Sequence, residues 1–363
     1  MTAAINNTFT HDKYLFGPIT DFIFLGGGGL LIFPLFIFFL PEDPYLALIS
    51  IGTVYAANFI NHPHFAHSYQ IFYSNFREKL TSNYYPDFMK RKYFIAGVVV
   101  PLIIFAYYLT AYFTANTKMI SLSINAMFFF VGWHYVKQGY GMAIVDSVLK
   151  KSFYGKKEKD ILLIGAYGAW IGSWILINTD FEAQDFYGVE YYALGFPQEL
   201  QTPMIALIAA SFISCSWVFI RKLTREKRNT PINGMCAYLV SIYLWVIFAS
   251  FNPVYILVIP AFHSMQYMIV VWRFEMNKSR NEKTKAKSHI MTYFFTAMLL
   301  GATGFFFVPY IMDKSLPKPE NIPGEFLFLI KIWVTINIHH YFMDNVIWRK
   351  ENPEVSKYLF QSK

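Results

Sequence analysis

The sequence predicts an all-α fold, a polytopic transmembrane bundle of about ten helices with both termini cytoplasmic, on three observations. Hydrophobic residues make up 55% of the 363 positions and charged ones only 15%, against about 25% charged in a typical soluble domain. Apolar runs long enough to cross a bilayer recur along the whole chain. Basic residues collect in alternate loops between those runs, as the positive-inside rule requires.

The runs fall at 20–40, 45–73, 93–114, 120–148, 160–178, 203–221, 236–251, 253–276, 290–312 and 325–348. The seventh and eighth are divided only by Asn252 and Pro253. After every even-numbered run stands a basic cluster: Arg77 to Lys92, Lys150 to Lys159, Arg221 to Arg228, Arg273 to Lys287, and Arg349 to Lys357. The opposite loops, "PEDP", "DFEAQDFYGVE" and "DKSLPKPENIPGE", are acidic, and Lys118, Lys314 and Lys318 are the cations on that side. The net charge of +8 is therefore a topology signal with a minor role in holding anionic headgroups, and nucleic acid is not an expected partner. The loops at 179–202 and 277–289 have room for an interfacial helix each, and 1–363 reads as a single integral membrane domain. The first twenty residues lack a basic n-region and a small-residue cleavage site, so the first run is expected to stay as an anchor. Two cysteines, Cys215 and Cys236, are too few for a disulfide framework or a thiolate metal site. "LGGGGLL" lacks the Lys-Ser/Thr of a phosphate loop and reads as close helix packing. Asp21 opens the first run, either as a helix N-terminal charge or within reach of Arg77, Arg273 or Arg349.

The histidines of the apolar runs are His62, His64, His67, His134, His263, His339 and His340, every one on an even-numbered run. His263 and His339 each stand ten residues before the arginine of a Trp-Arg pair, Trp272-Arg273 and Trp348-Arg349, and His67 stands at the same distance before Phe76-Arg77. Aromatic and arginine anchors belong at the interface. Ten residues of helix rise about 15 Å, so these three imidazoles should share one depth near mid-bilayer. His134 lies in the polar patch "GWHYVKQ" of the fourth run. Helical spacing places Asn61, His64, His67 and Ser68 on one face, His134 with Gln138, His263 with Gln266 and Tyr267, and His340 with Asp344. Pro63 is expected to kink its helix at the cluster.

One histidine in a membrane helix is most often a hydrogen-bonded packing residue, and His62 is read that way. Four helices converging at one depth is another matter, because polar groups in hydrocarbon are retained for a site. Several neutral imidazoles and a carboxylate suit a borderline metal. The expected ligands are His67, His134, His263 and His339, with His64, His340 and Asp344 as further candidates. Asp344, Tyr267 and Gln138 are the candidate catalytic groups, the amides and tyrosines also orienting the rings. Lys137 offers Asp344 an ordinary ion-pair partner instead. The 38 Phe and 26 Tyr would wall such a site for a long apolar substrate.

At "WHYVKQGYG", "FHSMQY" and "HHYFMDNVIWR" the chain resembles the bacterial integral membrane carotene dioxygenases of the Brp/Blh type. The resemblance lies in the arrangement, one or two histidines per helix. It implies a polytopic protein in a bacterial inner (cytoplasmic) membrane that holds non-heme iron with histidines from several helices. "HPHFAH" has neither the Gly nor the Asp of that family's Pro-His-Gly-x-x-Asp-His element, so retinal formation is not carried over. The expectation is a non-heme iron oxygenase or desaturase acting on a lipid or isoprenoid drawn from the bilayer, with an electron donor at the cytoplasmic face. Iron is the first choice of cofactor, with haem, zinc and copper as alternatives. Two other functions compete: a haem-binding electron carrier and a proton-coupled transporter with a buried His/Asp pathway.

Overall fold

The computed structural model describes residues 13–39, 48, 51–53, 55–179, 185–186, 189–226, 229–244, 255–282, 286–318 and 327–360. These form the helices α1 (18–39), α2 (Asn61–Tyr73), α3 (Phe76–Thr81), α4 (Asp87–Phe113), α5 (Thr117–Leu149), α6 (Lys156–Thr179), α7 (Gln201–Glu226), α8 (Ile232–Leu244), α9 (Tyr255–Asn281), α10 (286–315), α11 (Leu327–Ile347) and α12 (Pro353–Tyr358). A two-residue antiparallel pair, Asp185–Phe186 with Val189–Glu190, and a turn of 3₁₀ helix at Gln198–Leu200 occupy the loop where an interfacial helix was expected. The second such loop holds the end of α9 and the start of α10.

Among the described residues six helices are long and apolar enough to cross a membrane: α1, α4, α5, α6, α7 and α10. Their outer faces carry bare apolar side chains such as Phe105, Ile213 and Leu299, each about two-thirds exposed. A water-facing surface would not carry these features in such number, and they fit a membrane protein. Of the ten expected runs, those corresponding to α2, α8, α9 and α11 are not among the six. For α11 the reason is composition, since it carries Lys331 and polar residues of the cluster described below, whereas α9 starts at Tyr255 beside residues outside the description. α2 and α8 are short: residues 58–60 form a turn before Asn61, and the division at Asn252 and Pro253 lies outside the described residues. Pro63 stands just after the turn at 58–60, which interrupts the helical backbone seen again at 55–57. It sits in the first turn of α2, where its missing N–H has no intrahelical partner to lose.

α5 is the most buried of the six long helices, at 56% of its apolar window, and α7 and α10 are the least, at 22%. α5 is thus the central post, with Asn116 capping its start by accepting from Met119 N at 3.1 Å. α11 and α9 pack on it and α2 packs on both of these, which closes an inner ring of four helices. α8 packs closely on α5 through Gly234, where an added Cβ would stand 2.8 Å from Asp146 Cβ.

Four helices carry one π-helical turn each, at Ile23–Gly27, Ile95–Val99, Val240–Leu244 and Thr303–Phe307. A π turn inserts one residue and releases carbonyls from the usual ladder. Side chains of neighbouring helices take them up, as an apolar interior demands. Gln266 Nε2 donates to Leu25 O at 2.8 Å, His339 Nε2 to Ala96 O at 3.0 Å, Tyr73 OH to Gly97 O at 2.8 Å and Trp333 Nε1 to Phe305 O at 3.0 Å. Gly26 carries φ +153° in the first of these turns, and a Cβ there would stand 2.8 Å from Cys236 O, so only glycine fits.

Asp21 serves as a backbone acceptor at the start of α1. Its carboxylate accepts from the backbone amides of Leu15 (2.6 Å), Phe16 (2.9 Å) and Gly17 (3.2 Å), fixing the loop that leads into α1.

Candidate metal centre

Four helices contribute to one buried cluster. His64 comes from α2, His134 from α5, His263 from α9, and His340 with Asp344 from α11, one helical turn apart. One donor atom each of His64, His134, His340 and Asp344 lies within 4.8 Å of all the others. Asp344 Oδ2 is 3.4 Å from His340 Nε2 and 3.8 Å from His134 Nε2. Donors 2.0–2.1 Å from a shared ion stand about 3.4 Å apart in a tetrahedron, and about 4.2 Å apart where two lie on opposite sides of an ion with more ligands. Donors as much as 4.8 Å apart would therefore have to approach by up to about 1.4 Å to share one tetrahedral ion, a shift that side-chain rotation can supply.

The surrounding hydrogen bonds aim the donors inward. Ser264 Oγ donates to Asn61 Oδ1 at 2.8 Å, so it accepts from His64 Nδ1 at 3.1 Å. That assigns the ring hydrogen to Nδ1 and leaves a bare lone pair on Nε2, which is buried without a hydrogen-bond partner. Asp344 Oδ1 takes the hydroxyls of Ser68 (2.8 Å) and Tyr267 (3.0 Å), and Oδ2 is left facing the imidazoles without a hydrogen bond. His340 Nε2 is likewise buried without a hydrogen-bond partner. Native interiors seldom leave such atoms unpaired, and three of them converging could hold a metal ion. Rings seal the rest: Tyr341 stacks on His134 at 4.7 Å, Tyr135 on His263 at 4.0 Å, and Phe65 meets His340 edge-on at 4.7 Å.

His67 and His339, expected at the centre, lie elsewhere. His339 Nε2 must donate to the Ala96 carbonyl, so its Nδ1 accepts from Tyr69 OH at 2.9 Å, and neither nitrogen keeps a lone pair for a metal. His67 stacks on Tyr293 at 4.7 Å and bonds Gln70 Oε1 through Nδ1 at 2.9 Å. His263 adjoins the group, its Nε2 3.0 Å from His134 Nε2. Gln138 and Tyr267 differ: Tyr267 touches Asp344, whereas Gln138 binds the His263 carbonyl (2.8 Å) and Gln266 (3.1 Å), tying α5 to α9 behind the cluster. Lys137 does not pair with Asp344; its ammonium sits 5.5 Å from the Tyr167 ring centroid. His62 packs as expected, stacked on Phe305 at 4.4 Å. Sequence reasoning missed Ser264 and Tyr341, although each directly follows a histidine already singled out.

Fold and centre together define a helical membrane protein with a buried His/Asp cluster able to hold a metal. No family model, no curated protein and no solved structure matches the chain.

Proposed function

We propose that the protein is an integral membrane metalloenzyme of about ten spans, both termini cytoplasmic, in which His64, His134, His340 and Asp344 hold non-heme iron for the oxidation of a lipid or isoprenoid substrate. The observation that carries this reading is the convergence of the unpaired His64 Nε2, His340 Nε2 and Asp344 Oδ2 inside an apolar bundle. Neutral imidazoles with one carboxylate form the donor set that iron(II) oxygenases use, and zinc would accept it too. When bound, iron would supply redox chemistry with dioxygen. The chain's own residues prepare the place: Ser264 fixes the His64 tautomer, Ser68 and Tyr267 hold Asp344 so that Oδ2 faces inward, and Phe65, Tyr135 and Tyr341 exclude water. The His64–His340 and His134–His340 ring centroids lie 4.5 and 4.8 Å apart, a spacing suited to a shared ion rather than to axial ligands on the two sides of a haem plane. An apolar wall and a membrane setting favour an apolar substrate.

The test is iron-loaded protein in lipid nanodiscs, supplied with a reductant and a panel of polyisoprenoids and fatty acyl lipids. Dioxygen consumption and product mass should report substrate oxidation, and Asp344→Asn should lower the rate by at least about a hundredfold, as loss of a metal-holding carboxylate implies. No oxidation by wild type would overturn the enzymatic reading, equal rates in wild type and Asp344→Asn would overturn the assignment of the site, and a Soret band in the purified protein would replace both with a haem function.

A further inference from the structure

The contact between His134 and His263 points beyond a four-donor site. We infer that His263 is a fifth protein donor to the same ion and that metal binding replaces a hydrogen shared between these two imidazoles. The inference rests on the metal reading above.

Two Nε2 atoms 3.0 Å apart in a buried place cannot both present lone pairs to each other, so one carries the hydrogen and donates to the other. Whichever way the hydrogen points, the pair uses up His134 Nε2, the atom that faces Asp344 Oδ2. His134 can therefore serve a metal only once this hydrogen bond is given up, and His263 must then swing away or ligate. Its surroundings block the swing. The His263 ring lies almost flat on Tyr135, at 4.0 Å and 15°, its carbonyl is held by Gln138, and the next residue, Ser264, is tied to both Asn61 and His64.

The pair itself is already spaced for ligation, and His263 has still to close on the other donors, since it lies outside the four that stand within 4.8 Å of one another. Adjacent donors at right angles, each about 2.1 Å from an ion, stand about 3.0 Å apart, the spacing already present between the two nitrogens. The hydrogen passes from Nε2 to Nδ1 of the ring that donated it. His263 Nδ1 has no hydrogen-bond partner, so no existing bond opposes that tautomer. One Nε2–H bond breaks, one Nδ1–H bond forms on the same ring, the freed Nε2 lone pairs bind the metal, and no electron is transferred. With His263 included, α2, α5, α9 and α11 each give the ion at least one donor.

The probe is cobalt(II) added to metal-stripped protein, read by its visible absorption, by chelator competition and by X-ray absorption at the cobalt edge. Wild type should show four imidazoles and the weak bands of a centre with more than four ligands. His263→Gln should lose cobalt affinity by more than about tenfold and show the stronger bands of four-coordination, and free imidazole should restore affinity in His263→Gly. Three imidazoles in wild type, or wild-type affinity and spectrum in both variants, would overturn the assignment of His263 while leaving the four-donor site standing. Wild-type protein that takes up no cobalt, or takes it up equally well after His64→Ala and Asp344→Asn, would instead overturn the metal reading itself.

Discussion

Ser264 touches no ion in the arrangement described, yet it should set the affinity of the centre. Its hydroxyl bridges His64 Nδ1 (3.1 Å) and Asn61 Oδ1 (2.8 Å), and by donating to the amide it obliges His64 to carry its hydrogen on Nδ1. Ser264→Ala deletes both bonds and leaves a buried N–H and a carbonyl oxygen unpaired. Each unpaired group costs about 1–3 kcal/mol, and the better helix propensity of alanine returns only about 0.5 kcal/mol. A net destabilisation of about 1–3 kcal/mol is expected once partial repair by neighbours is allowed for. Freed to rotate and to change tautomer, His64 should hold metal about 10 to 100 times more weakly, or about 1.4–2.7 kcal/mol. Chelator competition on the purified protein measures the second quantity, and thermal unfolding of the metal-free protein measures the first. Ser264→Thr keeps the hydroxyl and should recover most of the affinity. A lower unfolding temperature with unchanged metal affinity in Ser264→Ala would show that the bridge serves packing alone and would refute the tautomer argument.

Neighbouring histidines of α11 should behave oppositely: His340→Gln should abolish stoichiometric metal binding while His339→Gln retains it and only lowers stability, and metal analysis giving the reverse order would contradict the site. Asn178→Ala, which leaves Leu194 N (3.0 Å) without its acceptor and Asn125 Nδ2 (2.5 Å) with only the Tyr192 carbonyl, should cost about 1–3 kcal/mol in unfolding with no change in metal affinity. Lys79, buried and donating to the Ile71 and Phe72 carbonyls at the end of α2, has its ammonium held below the usual lysine range by burial. The unfolded chain therefore binds the extra proton between that lowered value and about 10.4, and wild-type stability should rise with pH across the window. Denaturant unfolding should show that rise missing in Lys79→Met; an equal rise in both would assign it elsewhere.

Hydropathy and charge made the helical membrane character legible, and the histidine-bearing helices were legible from their polar residues. Azimuth was not. Residues one apart differ by about 1.5 Å in depth but by about 100° in direction, so counting ten residues from an arginine cannot choose between His339 and His340. The i, i+4 pairs choose better: His340 shares a face with Asp344, and His64 with Ser68, which in the structure bonds Asp344. Lys137 misled because depth was again matched without direction. The π turns left no trace in hydropathy, since one inserted residue alters register and not composition; their carbonyls nonetheless explain why His339 is spent on Ala96.

Elemental analysis of the protein purified in detergent after growth in iron-supplemented medium tests the central claim most directly. One iron per chain is expected in wild type and almost none after the paired substitution of His64→Ala and His340→Ala. Wild-type protein free of transition metal, or the same metal content in the doubly substituted protein, would contradict it.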